Sequence, residues 1–193
     1  MVYTSWMSSC SPALGFLAEL NEEVWRRGLG RVVIVGGFAV ELYSGVTYRR
    51  GDIDFVIDTP RVREARHVFE ELVATRGWRK VSRVYEGPGA LYLDLVGYTY
   101  TGRVKELRTC GGSVYVQSPE DAIVSSPNSC VYGEPPAVCE RAAAVLTAQR
   151  ERLNRDYPLE FARGNGVDKK LEEMRRVVEK TFSALQDVVG ERG

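Results

Sequence analysis

The sequence predicts an α+β fold: strands concentrated in the first two thirds of the chain, helices between them, and a helical C-terminal extension. Three observations carry this. Two short β-branched apolar runs, residues 31–35 and 53–57, are separated by a glycine pair and a short helical pattern. Further on, Leu91, Leu93 and Leu95 alternate with Tyr92, Asp94 and Val96, the period-two signature of a core strand. Beyond Pro136 the apolar residues recur only at helical spacing.

Taken in order, residues 1–10 form a loose start. Ser11-Pro12 is an N-cap and first-turn pair, and Leu14, Leu17, Leu20 and Val24 mark a helix closed by Gly28. The first strand, 31–35, breaks at Gly36-Gly37. A short helix over 38–44 ends at Gly45, and residues 46–51 form a polar, basic loop. The strand 53–57 stops at Asp58-Thr59-Pro60, with Asp58 as a strand-end or turn residue and Thr59 as cap of the next helix. Val62, Ala65, Phe69, Leu72 and Val73 give that helix its apolar stripe. Residues 78–85 read as one strand with a basic face, 86–89 as a turn, 98–107 as a polar strand or hairpin, and 113–117 as a last strand. Ser118-Pro119-Glu120-Asp121 starts a helix. The stretch 125–136, rich in Ser, Pro, Asn and Gly, reads as a crossing. It divides a core of residues 1–124 from a linker and helical region, 125–193. There Val138, Ala142, Val145, Leu146 and Leu153 form one stripe, and Leu171, Met174, Val178, Phe182 and Leu185 another after a gap at 164–166.

With 193 residues, 44% of them apolar and 27% charged, the chain suffices for one soluble domain with a real core. A formal net charge of zero offers no bulk basic field for nucleic acid. No apolar run approaches the about 20 residues of a membrane span, and no signal peptide is legible, so a cytoplasmic protein is expected. Cys10, Cys110, Cys130 and Cys139 form no C-x-x-C pair, and His67 is the one histidine, which argues against zinc. Free thiols are expected in a reducing cytosol. Arginine far outnumbers lysine and Asn and Gln are scarce, a thermophile hint under which Cys130–Cys139 or a link to Cys110 stays open.

The chemistry concentrates at Gly36-Gly37 and Asp52-Ile53-Asp54. Period two puts Asp52 and Asp54 on one face of their strand. Two carboxylates side by side on an apolar strand repel each other unless a cation lies between them. That points to a divalent metal, and hence to phosphate chemistry. Strand, Gly-Gly, helix, Asp-x-Asp strand and a later lone Asp94 resemble the nucleotidyltransferase superfamily with the DNA polymerase beta-like palm, over about residues 31–96. Within it, Gly-Gly-x-Ala and the Pro-Glu-Asp helix resemble the AbiEii-like nucleotidyltransferases of toxin–antitoxin systems, which also carry a helical C-terminal part.

The resemblance implies a mixed sheet flanked by helices. It also implies Gly36, Gly37, Arg49 and Arg50 on the nucleotide phosphates, and Asp52, Asp54 and Asp94 on two Mg²⁺ (or Mn²⁺) ions, about 3.5–4 Å apart. The NMP of an NTP would pass to a hydroxyl of RNA, protein or a small molecule, with Asp94 helping to deprotonate the acceptor. Phe38, Tyr43 and Tyr48 are candidates to touch base or ribose. The alternative is a weak or inactive nucleotide- and metal-binding relative, pairing with an antitoxin partner. A Rossmann-like binder is disfavoured, because G-x-G-x-x-G is absent. His67, the basic group Arg76, Arg79, Lys80 and Arg83, and Arg150, Arg152 and Arg155 read first as solvated surface, the arginine groups with nucleic-acid contact as the competing role.

Overall fold

In a computed structural model, residues 11–46, 52–88, 91–131, 136–153, 157–164 and 166–190 are described. The elements are α1 (Pro12–Arg26), β1 (Arg31–Ile34), α2 (Gly36–Ser44), β2 (Asp52–Asp58), α3 (Val62–Thr75), β3 (Arg79–Val81), β4 (Val84–Gly87), β5 (Leu91–Gly97), β6 (Val104–Thr109), β7 (Gly112–Gln117), α4 (Pro119–Val131), α5 (Pro136–Gln149), α6 (Tyr157–Gly164) and α7 (Asp168–Gly190). They fall into two compact units, Met1–Glu41 with Thr47–Ser118, and Leu42–Val46 with Pro119–Gly193. No helix is long and apolar enough to cross a membrane among the described residues.

The first unit is built on one seven-stranded sheet of order β3-β4-β5-β2-β1-β7-β6. The sheet is mixed: β2 runs parallel to β5 and β1 parallel to β7, and the other neighbours are antiparallel. One face lies under α1 and α3. Phe55 of β2 meets Phe69 of α3 at 5.5 Å between ring centroids, Phe69 meets Tyr85 of β4 at 4.7 Å, and Phe16 of α1 meets Trp78 at 4.9 Å. Phe55 and Phe69 are fully buried, and truncating either to alanine would cost about 3–5 kcal/mol. Asn21 ties α1 to the sheet: its amide donates to the Ser113 carbonyl at 3.0 Å and its Oδ1 accepts from the Val32 N–H at 2.8 Å.

In the second unit α4 packs on α5, α6 and α7. Ala122, Ile123, Val145, Leu146, Leu171 and Met174 are among its buried residues. The Gln149 amide donates to the Tyr43 carbonyl at 2.9 Å.

Several expectations are corrected. The helix after β1 begins at Gly36, not Phe38, so the glycines form its first turn. Residues 78–85 are two strands, β3 and β4, joined at Ser82 (φ 59°), and Glu86-Gly87 belongs to β4 rather than to a turn. The stretch 125–136 is no break at its start, because α4 runs on to Val131. Fully buried Ala122, Ile123 and Val124 anchor that helix, and packing overrides the local turn composition. Leu153 lies past the end of α5, and α6 is a helix of its own. Cys110 is disulfide-bonded, against the free-thiol expectation and in line with the link to Cys110 that the thermophile hint left open. Asp58 is a satisfied strand-end residue, as expected, accepting from the Tyr100 N–H at 3.1 Å and from Arg31 at 3.1 Å.

Candidate active site

The central strand β2 carries Asp52 at its start and Asp54 two residues on, both half-buried and on one face. Parallel pairing sets Asp54 directly beside Asp94 of β5, and Asp52 beside Tyr92. Adjacent strands lie about 4.8 Å apart and alternate residues about 6.6 Å apart along a strand, so the three carboxylates rise from one small patch. The register shifts between Phe55 and Val56, one pair beyond Asp54–Asp94 and directly after Phe55–Leu95. Bulges of this kind re-aim side chains beside functional sites.

Gly36 closes the other side. The Val35 N–H donates to the Asp54 carbonyl at 2.9 Å, so the β1–β2 ladder runs up to the start of α2. At Gly36 φ is +66°, and a Cβ there would lie 2.3 Å from Asp54 Oδ2. Only glycine leaves room for that carboxylate. The first N–H groups of a helix lack intrahelical partners and carry partial positive charge, which suits the neighbouring carboxylate and a phosphate alike.

Asp94 is the most enclosed of the three. Its side chain is 10% exposed, and its Oδ2 lies 3.3 Å from Arg83 Nε, on a side chain 81% exposed. Arg83 sits at the β3–β4 turn, and the sequence did not single out its pairing with Asp94. The basic group splits by register. Arg79 lies opposite Glu86 on the strand and donates to it at 2.9 Å; Glu86 in turn lies beside Tyr92, whose hydroxyl is 3.5 Å away. Lys80 points to the other face, over the Tyr85 ring, and Arg76 pairs with Glu19 on α1. His67 pairs with Glu71 on the exposed surface of α3.

Gly36, Asp54 and Asp94 therefore come together in the first unit, with Gly37 next in the same helical turn and Asp52 two residues before Asp54 on its strand. Arg49, Arg50 and Tyr48 lie outside the described residues. Tyr43 belongs to the second unit, where burial first, then Glu120 and Asp121, pushes its hydroxyl well above the ordinary tyrosine range. The donor set is oxygen only, the chemistry of Mg²⁺ or Mn²⁺ rather than of zinc. The oxygen donors and the same-face pairing of Asp54 with Asp94 fit such a cation. Among the described residues, however, no three His, Cys, Asp or Glu side chains are gathered into a group arranged to hold one. Asp94 is turned to Arg83 instead.

No protein-family profile matches the chain. No curated protein sequence does either. Among solved structures it is similar to an antigenic nucleotidyltransferase-like protein from Paracoccidioides brasiliensis, with 19% identity, 83% of this chain and 90% of that one covered, and a TM-score of 0.54. It is similar also to ANT(2")-Ia in complex with adenylyl-2"-tobramycin, with 18% identity, 89% and 99% covered, and a TM-score of 0.50. Together with the mixed sheet and its flanking helices, these likenesses establish that the chain has the nucleotidyltransferase fold.

Proposed function

We propose that this protein is a metal-dependent nucleotidyltransferase, moving the NMP of an NTP to a hydroxyl acceptor. The observation that carries the reading is the placing of Asp54 between Gly36 and Asp94: one carboxylate against a helix start, paired across the sheet with a second. Asp52, Asp54 and Asp94 would hold Mg²⁺ or Mn²⁺, which when bound offsets triphosphate charge and makes the acceptor hydroxyl more acidic. Gly36 and Gly37 offer backbone N–H groups to the phosphates, with Arg49 and Arg50 as further phosphate contacts. Asp94 takes the hydroxyl proton. The acceptor oxygen forms a bond to the α-phosphorus as the bond to the β-phosphate bridge breaks, and pyrophosphate leaves.

ANT(2")-Ia was solved with an adenylylated tobramycin, so a small polyhydroxylated acceptor is tried beside RNA and protein. A second reading, a nucleotide- and metal-binding relative without turnover that pairs with an antitoxin-type partner, is favoured by one observation: Asp94 is held by Arg83 rather than gathered with the other two. The test is transfer of label from each α-labelled NTP, with Mg²⁺ or Mn²⁺, to RNA, proteins and small polyols. Transfer by the wild type that vanishes in the Asp52→Asn, Asp54→Asn double variant is expected. Transfer surviving in that variant overturns the assignment. Nucleotide binding without transfer selects the second reading.

A further inference from the structure

We propose that Arg83 is a built-in counter-ion of the site. In the free protein its guanidinium holds Asp94 and competes with the divalent cation for that carboxylate. Once the cation has taken Asp94, Arg83 passes to the phosphates of the nucleotide. The proposal rests on the metal-site reading above.

Three observations support it. First, Asp94 is nearly enclosed and stands beside Asp54 on the sheet, so its negative charge requires a cation nearby. Arg83, at 3.3 Å, supplies one. Second, Arg83 differs from its neighbours in partner: Arg79 is taken by Glu86 and Arg76 by Glu19, whereas Arg83 pairs with a candidate metal ligand. Third, Arg83 is 81% exposed and stands on a two-residue turn after Ser82, so little packing fixes its side chain. An exposed side chain of this kind reorients in picoseconds to nanoseconds. A guanidinium and a divalent cation repel each other and cannot share Asp94 at ligand distance. The displaced guanidinium, planar and permanently charged, is then left beside a triphosphate that it matches in geometry.

The test is Mn²⁺ titration followed by electron paramagnetic resonance, first without nucleotide. Arg83→Gln is expected to bind Mn²⁺ about two- to fivefold more tightly than wild type, the size of an exposed ion pair expressed as affinity. Arg79→Gln removes the same charge from the same face, but from Glu86, and is expected to change the affinity less than Arg83→Gln does. Arg83→Lys is expected to stay close to wild type. Then, with Mn²⁺ saturating, binding of a non-hydrolysable NTP analogue is expected to reverse the order, Arg83→Gln binding it several-fold more weakly than wild type. If Arg83→Gln binds Mn²⁺ no more tightly than Arg79→Gln, the competition is overturned. If it binds the analogue as wild type does, the transfer to phosphate is overturned. Equal Mn²⁺ binding by wild type and the Asp52→Asn, Asp54→Asn variant would overturn the metal-site reading itself, a result distinct from both.

Discussion

Gly36→Ala separates backbone strain from damage to the site. At φ +66° an alanine costs about 1–2 kcal/mol in the left-handed region. Its Cβ would stand 2.3 Å from Asp54 Oδ2 and 3.2 Å from Asp54 Cβ. A carbon–oxygen contact needs about 3.3 Å, so the carboxylate must move by about 1 Å. A misplacement of that size costs on the order of 100-fold in rate, or about 2.7 kcal/mol of transition-state stabilisation. Gly77→Ala is the control, because Gly77 has nearly the same φ, +72°, and open space around it. Urea unfolding should show both variants destabilised by about 1–2 kcal/mol. Mn²⁺ binding and label transfer should fall only in Gly36→Ala, transfer by about two orders of magnitude. If Gly36→Ala matches Gly77→Ala in metal affinity and transfer, Asp54 does not work from the mouth of α2.

Asn21→Ala should destabilise the protein by about 2–4 kcal/mol in urea, because it leaves the buried Val32 N–H and the Ser113 carbonyl without their partner; a loss under about 1 kcal/mol would contradict that bridge. Asp58→Asn weakens a structural carboxylate held by Arg31 and the Tyr100 N–H, so it should cost about 1–2 kcal/mol while leaving Mn²⁺ affinity unchanged. Burial raises Tyr85 and Tyr98 above the ordinary tyrosine value of 10.0. Their contribution is complete below pH 10.0 and is lost as pH rises through the raised folded values, so alkaline unfolding should accompany late tyrosine ionisation in the ultraviolet. The Tyr98 hydroxyl is buried without a hydrogen-bond partner among the described residues, so Tyr98→Phe should be neutral or stabilising, and a clear loss of stability would contradict that burial.

Much of this was legible in the sequence because it rests on short-range patterns. Period two alone put Asp52 and Asp54 on one face, and the same rule made Leu93 a core residue and turned Asp94 to the opposite face. The pairing of Asp54 with Asp94 is long-range, set by a parallel register that no local pattern encodes. Gly36-Gly37 reads locally as a breaker; that Gly36 opens the helix and leaves room for the Asp54 carboxylate is a tertiary fact no local pattern encodes. The β3–β4 hairpin was invisible because Ser82-Arg83 offers no glycine, asparagine or proline signal, and Ser82 adopts positive φ unaided. With the hairpin missed, Arg83 read as part of a solvated face and its ion pair with Asp94 was missed too. In α4 the signals of Ser125, Ser126 and Pro127 pointed to a loop, but the helix carries on from a buried first half.

The most direct measurement is a crystal structure with Mn²⁺ and a non-hydrolysable NTP analogue, read at the manganese absorption edge. An anomalous peak about 2.1 Å from carboxylate oxygens of Asp52, Asp54 and Asp94, with the triphosphate at the start of α2, is the predicted result. A nucleotide bound elsewhere, or Mn²⁺ bound without Asp54 and Asp94, would contradict it.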